Sequence, residues 1–242
     1  MSEEKDLESI LEDSKVKPSE IYKLPLNLSI VGSTGVGKTY RLKQILKDHM
    51  LPQADWLIIF CPTMQFSGDY DEFVENIDPE STKLKIAKVE TDYENITAEI
   101  IESQTELVLN NKKDDVPQVI CIFDDCLGSK MMGNYGMLSN FSAKSRHLNI
   151  SMVFVSQRIS GISRTIRLNS GVFILFSNFN HSENESWITQ YVPKKYKSVM
   201  MDKLNQIFNV KYQFLLANNR ESKVLSRLLI NGEKIINFDA IQ

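Results

Sequence analysis

The chain has 242 residues, 42% of them hydrophobic and 24% charged, which describes an ordinary soluble globular protein with a sizeable core and excludes a fibrous or disordered one. Formal net charge is −3, but the first fifteen residues hold six acidic and two basic side chains, so the remainder is about neutral and charge neither supports nor excludes a polyanionic partner. The longest apolar runs, Trp56 to Cys61, Val119 to Phe123 and Gly171 to Phe176, fall far short of the ~20 residues that cross a bilayer, and the acidic N-terminus is not signal-like, so no membrane partner and an intracellular location are expected.

In chain order, residues 1–20 form an acidic N-terminal segment, which reads up to about Lys17 as either a short amphipathic helix or a disordered tail. Residues 21–242 read as a single domain with C-terminal strand and helix additions. Its first strand-like run, Leu26 to Val31, leads directly into Gly32-Ser33-Thr34-Gly35-Val36-Gly37-Lys38-Thr39, a match to GxxxxGK[ST]. Glycines at that spacing let successive backbone N–H groups turn inward around phosphates, Lys38 reaches the β- and γ-phosphates, and the Thr39 hydroxyl ligates Mg²⁺. A helix from Thr39 to Asp48 then presents its N-terminus to the anion.

Further strand-like runs follow at 56–61, 83–88, 117–123, 150–156, 171–176, 211–217 and 223–230, with helical stretches Thr91 to Asn110, Gly136 to Ser145, Glu183 to Tyr191 and Lys194 to Phe208 between them. Such alternation predicts an α/β fold: a mostly parallel sheet with helices on both faces, and an antiparallel hairpin from the last two runs at one edge. Cys61, Cys121 and Cys126 form no CxxC pair and His49, His147 and His181 are scattered, which predicts buried reduced thiols and neither a disulfide framework nor a zinc site.

The run Val119-Ile120-Cys121-Ile122-Phe123 is continuously apolar, as a central strand covered on both faces should be, and ends in Asp124-Asp125. This is a Walker B pattern: Asp124 would hold Mg²⁺ and Asp125 would orient and deprotonate the attacking water. Two successive acids favour an ATPase over a plain kinase or a small GTPase, and the polar Asn111-Lys112-Lys113-Asp114-Asp115 reads as a linker into this strand. The next strand ends at Ser156-Gln157, where an amide beside the Walker B strand can bond the attacking water or the γ-phosphate. Arg146 could reach a neighbouring subunit's nucleotide as an arginine finger or serve as a helix-terminal cation; Arg158, Arg164 and Arg167, in the loop after Gln157, compete for that role.

Together these motifs resemble the DNA-packaging ATPases of large double-stranded DNA viruses, of the poxvirus and virophage type, within the FtsK-HerA group of P-loop translocases. The resemblance spans roughly residues 24–180 and includes Phe60-Cys61-Pro62-Thr63 and Arg146-His147-Leu148-Asn149-Ile150-Ser151 besides the three motifs above. It implies a RecA-like core, ATP and Mg²⁺ as cofactors, a homo-oligomeric ring, and ATP-driven movement of double-stranded DNA into a preformed capsid. A capsid or portal-vertex partner follows, as does a place in the host cytoplasm, virus factory or virion. In such a ring the loop Gly128 to Gly136, with Lys130, could project into the pore, and Lys194, Lys195 and Lys197 form a second basic patch. The rival reading is a nucleotide-switched, partition-like or assembly ATPase that does not translocate DNA.

Overall fold

In the computed structural model the described residues are 11–77, 84–89, 91–111, 115–126, 136–177, 180–221 and 228–236. In chain order the elements are β1 (Leu11–Asp13), α1 (Pro18–Ile21), β2 (Leu28–Val31), α2 (Lys38–Ile45), β3 (Trp56–Phe60), α3 (Met64–Ser67), α4 (Asp71–Glu75), β4 (Lys85–Val89) and α5 (Tyr93–Asn110). They continue with β5 (Val119–Asp124), α6 (Met137–Ser142), β6 (Ile150–Ser156), α7 (Arg164–Asn169), β7 (Val172–Phe176), α8 (His181–Tyr191), α9 (Lys197–Phe208), β8 (Phe214–Asn218), β9 (Leu228–Ile230) and β10 (Lys234–Ile236).

The ten strands among the described residues join one sheet in the order β1-β10-β9-β8-β7-β2-β6-β5-β3-β4. From β7 to β4 the neighbours are parallel, and from β7 to β1 each pair is antiparallel. The mostly parallel α/β sheet expected from the alternating pattern is therefore present, as is the antiparallel β8–β9 pair. That pair is not the sheet's edge: β10 and β1 extend it, so Leu11 to Asp13, within the segment that reads as helix or tail, is a strand paired with Lys234 to Ile236. Arg164 and Arg167, expected in a loop after Gln157, lie instead on α7.

Period-two alternation distributes side chains to two apolar layers. Ile58, Phe60, Cys121, Phe123, Met152, Phe154, Phe173 and Leu175 pack on one face with Trp187 of α8 and Met200 and Leu204 of α9, with Ile96 and Ile100 of α5 against them. Leu57, Ile59, Ile120, Ile122, Val153, Val155 and Ile174 face the other way, against Ile21 of α1 and Leu42 and Ile45 of α2. On the first face the register aligns Phe60, Phe123 and Phe154. Their rings stack at centroid distances of 4.7 and 5.4 Å, near-parallel at 5° and 16°.

At the opposite end of the strands from the P-loop, buried Asn27 ties the sheet together. Its Nδ2 donates to the Ser142 carbonyl at 2.7 Å, and its Oδ1 accepts from Ser145 Oγ at 3.0 Å and Met152 N at 3.3 Å. Asn27→Leu keeps the volume but leaves several buried partners unpaired, so it is expected to cost about 3 kcal/mol and to lower the melting temperature by roughly 6–12 °C for a domain of this size. Thermal unfolding followed by circular dichroism checks this; an unchanged midpoint would show that the network contributes nothing net.

Candidate nucleotide-binding site

The phosphate loop forms where β2 ends, because Gly32 passes too close to β7 for any side chain: a Cβ there would meet Phe176 Cβ at 2.6 Å. Gly37 precedes α2 in the left-handed region, φ +94°, a conformation that glycine adopts without strain. At these two positions the loop requires glycine, at Gly32 for close approach and at Gly37 for handedness. Lys38 Nζ donates to the Ser33 carbonyl at 2.8 Å, folded back over the loop.

Between the P-loop strand β2 and the acid-bearing strand β5 lies β6 alone, so all three carboxyl ends open onto one cleft. That cleft, about 700 Å³, is lined by Thr34, Gly35, Gly37, Lys38 and Thr39 from the loop, by Asp124 and Asp125, and by Ser156 and Gln157. The structure therefore brings together Lys38, Thr39, Asp124, Asp125 and Gln157, with Gly32, Ser33 and Val36 in the same loop. Asp125 is itself in the left-handed region, φ +53°, so the chain turns sharply after Asp124 and the two acids do not continue the strand's alternation.

Asp124 Oδ2 accepts a hydrogen bond from the hydroxyl of buried Tyr70 at 2.7 Å. Burial pushes the Asp124 carboxyl from its ordinary 3.8 up to about 6; the Tyr70 hydrogen bond and Lys38 oppose this, and the Asp125 and Asp69 charges add to it. Burial likewise draws the Lys38 ammonium below its usual value, against the pull of Asp124 and Asp125. Because the folded carboxyl holds its proton more tightly than the unfolded one, the associated stability is present below pH 4 and is lost as pH rises through about 6. In metal-free protein at neutral pH the penalty is at most about 3 kcal/mol. Asp124→Asn keeps an acceptor for Tyr70, so without nucleotide or metal it is expected to melt about 6 °C higher at pH 8, with the gain shrinking towards pH 5. A gain equal at both pH values would show that charge burial is not the cause.

Among the described residues no group of three or more potential ligands could hold a metal by itself. Thr39 and Asp124 nevertheless face the same cleft, and Mg²⁺ characteristically takes one or two protein oxygens, with phosphates and waters completing the octahedron. The residues fit that kind of site.

The turn carrying Gln157 is tightly held. Ser156 Oγ donates to the Arg158 carbonyl at 2.6 Å and accepts from Arg158 N at 3.1 Å. Glu183, buried on the first turn of α8, accepts from Ile159 N and from Ser160 Oγ, the latter at 2.9 Å. Neither Glu183 nor Tyr70 belongs to a local motif, and only the fold reveals that Tyr70 touches Asp124 and that Glu183 holds the turn after Gln157.

The arginines separate. Arg146 lies before β6, at the end of the sheet opposite the cleft, where its charge lowers the pKa of Arg220, itself lowered first by burial. It does not join the nucleotide site of its own chain. Arg167 is committed within the chain, its Nε to the Ile162 carbonyl at 3.2 Å and an Nη to Gln190 Oε1 at 2.8 Å. Arg158 directly follows Gln157 and is exposed, and Arg164 is exposed on α7. Lys194 and Lys195 sit on a turn between α8 and α9, with Lys195 Nζ 4.3 Å from the centroid of the Tyr196 ring. Of the loop Gly128 to Gly136, all but Gly136 lies outside the described residues. Asn111-Lys112-Lys113-Asp114 spells the guanine-recognition pattern NKxD, although its composition reads as linker. Residues 112–114 are outside the described set, but Asn111 ends α5 and β5 begins at Val119, away from the strands' carboxyl ends, so the flanks of this tetrapeptide are remote from the cleft. All three cysteines are free and buried, and burial pushes Cys121 and Cys126 up to about 12. No helix among the described residues is long and apolar enough to cross a membrane.

Known proteins share this fold at low identity. The genome packaging NTPase B204 of Sulfolobus turreted icosahedral virus 2, solved with AMP, superposes with a TM-score of 0.56 at 16% identity, covering 89% of this chain and 98% of B204. B204 of Sulfolobus turreted icosahedral virus, a DNA-packaging ATPase, gives 0.56 at 17%, covering 85% and 96%. The pCW3 conjugation coupling protein TcpA, with ATPγS, gives 0.55 at 15%, covering 99% and 69%. No curated protein sequence matches the chain. A family model described as Poxvirus A32 protein matches residues 13–225, a span that takes in the P-loop, both acids, Gln157 and strands β2 to β8, and the chain belongs to that family.

Proposed function

We propose that the protein is an ATP-hydrolysing motor, working as a homo-oligomeric ring, that moves double-stranded viral DNA into a preformed capsid. The observation that carries this reading is the convergence of the phosphate loop, the Asp124-Asp125 pair and Gln157 on one cleft, in a chain of the A32 family. B204, whose fold it shares, is a genome packaging NTPase.

The phosphates lie against the backbone of residues 32–39, and Lys38 exchanges the Ser33 carbonyl for the β- and γ-phosphates. Thr39 and Asp124 hold Mg²⁺, which supplies charge neutralisation on the phosphate oxygens. Asp125 takes a proton from water as the water oxygen bonds to the γ-phosphorus and the bridging oxygen leaves with ADP. Gln157, just after the intervening strand and followed by a turn that Ser156 and Glu183 hold through Arg158 and Ser160, orients that water. Arg146, placed away from its own cleft, is available to a neighbouring subunit's nucleotide, with Arg158 and Arg164 as the competing donors. Residues 21–242, with strand β1 of the N-terminal segment joined to their sheet, act as one ATPase domain, with the capsid or portal vertex as partner and the infected cell's cytoplasm as the place of work.

The test is phosphate release from Mg-ATP with and without linear duplex DNA, over a protein-concentration series and at two salt concentrations. DNA stimulation that steepens with protein concentration and fades at high salt is expected of a ring gripping phosphates. Turnover indifferent to DNA under all these conditions would favour a nucleotide-switched assembly ATPase instead.

A further inference from the structure

Beside the P-loop the cleft continues into a side pocket of about 280 Å³ that shares Gly37, Tyr40 and Tyr212 with it. Phe176 and Phe214 also line this pocket. Both shared tyrosines are exposed, Tyr40 by 69% and Tyr212 by 57%, although each borders the cavity that holds the phosphate loop. Tyr40 is on the first turn of α2, one residue after Thr39, and its hydroxyl accepts from Gln44 Nε2 at 3.2 Å.

Tyr212 is more informative. Its backbone is left-handed, φ +65°, which is costly for a bulky residue and persists only where the surroundings enforce it. The strain is not repaid by burial of the ring within the chain. What it achieves is placement: the ring lies across Gly37, its Cδ1 3.0 Å and its Cε1 3.7 Å from where a Cβ on that glycine would be. Lys211 Nζ, 4.8 Å from the ring centroid, adds a cation to the same rim. Two tyrosine side chains thus line a small cavity at the point where the phosphate loop becomes a helix.

We infer that this side pocket is the base subsite of the nucleotide, with Tyr40 and Tyr212 stacking on the nucleobase. Every nucleobase offers a π-face, so stacking between aromatic side chains supplies affinity without requiring a particular base. The substrate class is then a nucleoside triphosphate, selected over inorganic polyphosphate by its base. This rests on residues 32–39 being a phosphate site, and the experiment separates the two claims.

Affinities of the full chain for Mg-ATP and for Mg-tripolyphosphate are measured by competition against a labelled ATP. ATP is expected to bind at least about tenfold more tightly, and Tyr212→Gly, which accepts a left-handed backbone without strain, to lose about that factor for ATP alone. Tyr40→Ala should behave in the same way, and Tyr212→Phe should bind ATP like the parent. Equal affinity of the parent for ATP and tripolyphosphate would overturn the base subsite while leaving the phosphate site standing. Tyr212→Gly weakening both ligands alike would also overturn it, because the ring would then serve only to brace Gly37. Failure of either ligand to bind the parent would remove the phosphate site, and this inference with it.

Discussion

Asp125→Asn is expected to bind ATP with parental affinity and to hydrolyse it on the order of a hundred to ten thousand times more slowly, the loss that follows removal of a general base. The substitution isolates chemistry from folding for a structural reason: Asp125 occupies the left-handed region, which asparagine tolerates as well as aspartate does. The exchange also leaves the Tyr70 hydrogen bond on Asp124 untouched, so that neighbouring carboxylate keeps its orientation. Binding of a labelled ATP together with phosphate release measures both halves. Unchanged turnover would take the base assignment away from Asp125, and Asp69, which also lines the cleft, would become the next residue to replace.

Lys38→Ala is expected to act on the other half, weakening nucleotide affinity by roughly thirtyfold or more, as loss of a charge-assisted bond to phosphate implies. In the nucleotide-free protein the Lys38 ammonium donates to the Ser33 carbonyl in its own loop, and burial disfavours its charge more than Asp124 and Asp125 favour it. Its removal should therefore leave the melting temperature without nucleotide nearly unchanged while abolishing most of the stabilisation that ATP confers on the parent by mass action. A variant that melts like the parent and still binds ATP normally would contradict the P-loop reading.

The parts of this site that were legible in the sequence are those written in consecutive residues. Gly32 to Thr39 is a local backbone programme, and Val119 to Asp125 and Ile150 to Gln157 are apolar runs ending in polar groups, so position in the chain already fixes position at the strand ends. The contacts that were not legible cross long stretches of sequence. Tyr70 meets Asp124 over 54 residues and Glu183 reaches Ile159 over 24, and neither spacing has a local period to announce it. Tyr212 lay inside an apparent strand, since nothing in its residue type signals a left-handed backbone. β1 and β10 were hidden for another reason: strands of three residues are too short to display alternation, and their pairing joins the two ends of the chain.

The stacked rings of Phe60, Phe123 and Phe154 have a mechanical consequence. They clamp the ends of three strands, and residues that emerge just beyond them, Thr63, Asp124 with Asp125, and Gln157, line the cleft. The phosphate loop hangs instead from β2, which contributes no ring to that stack. If the loop grips the nucleotide while Asp125 and Gln157 serve its cleavage, as proposed, the two tasks fall to separate portions of a single sheet, and a chain that has lost turnover would still hold its fuel.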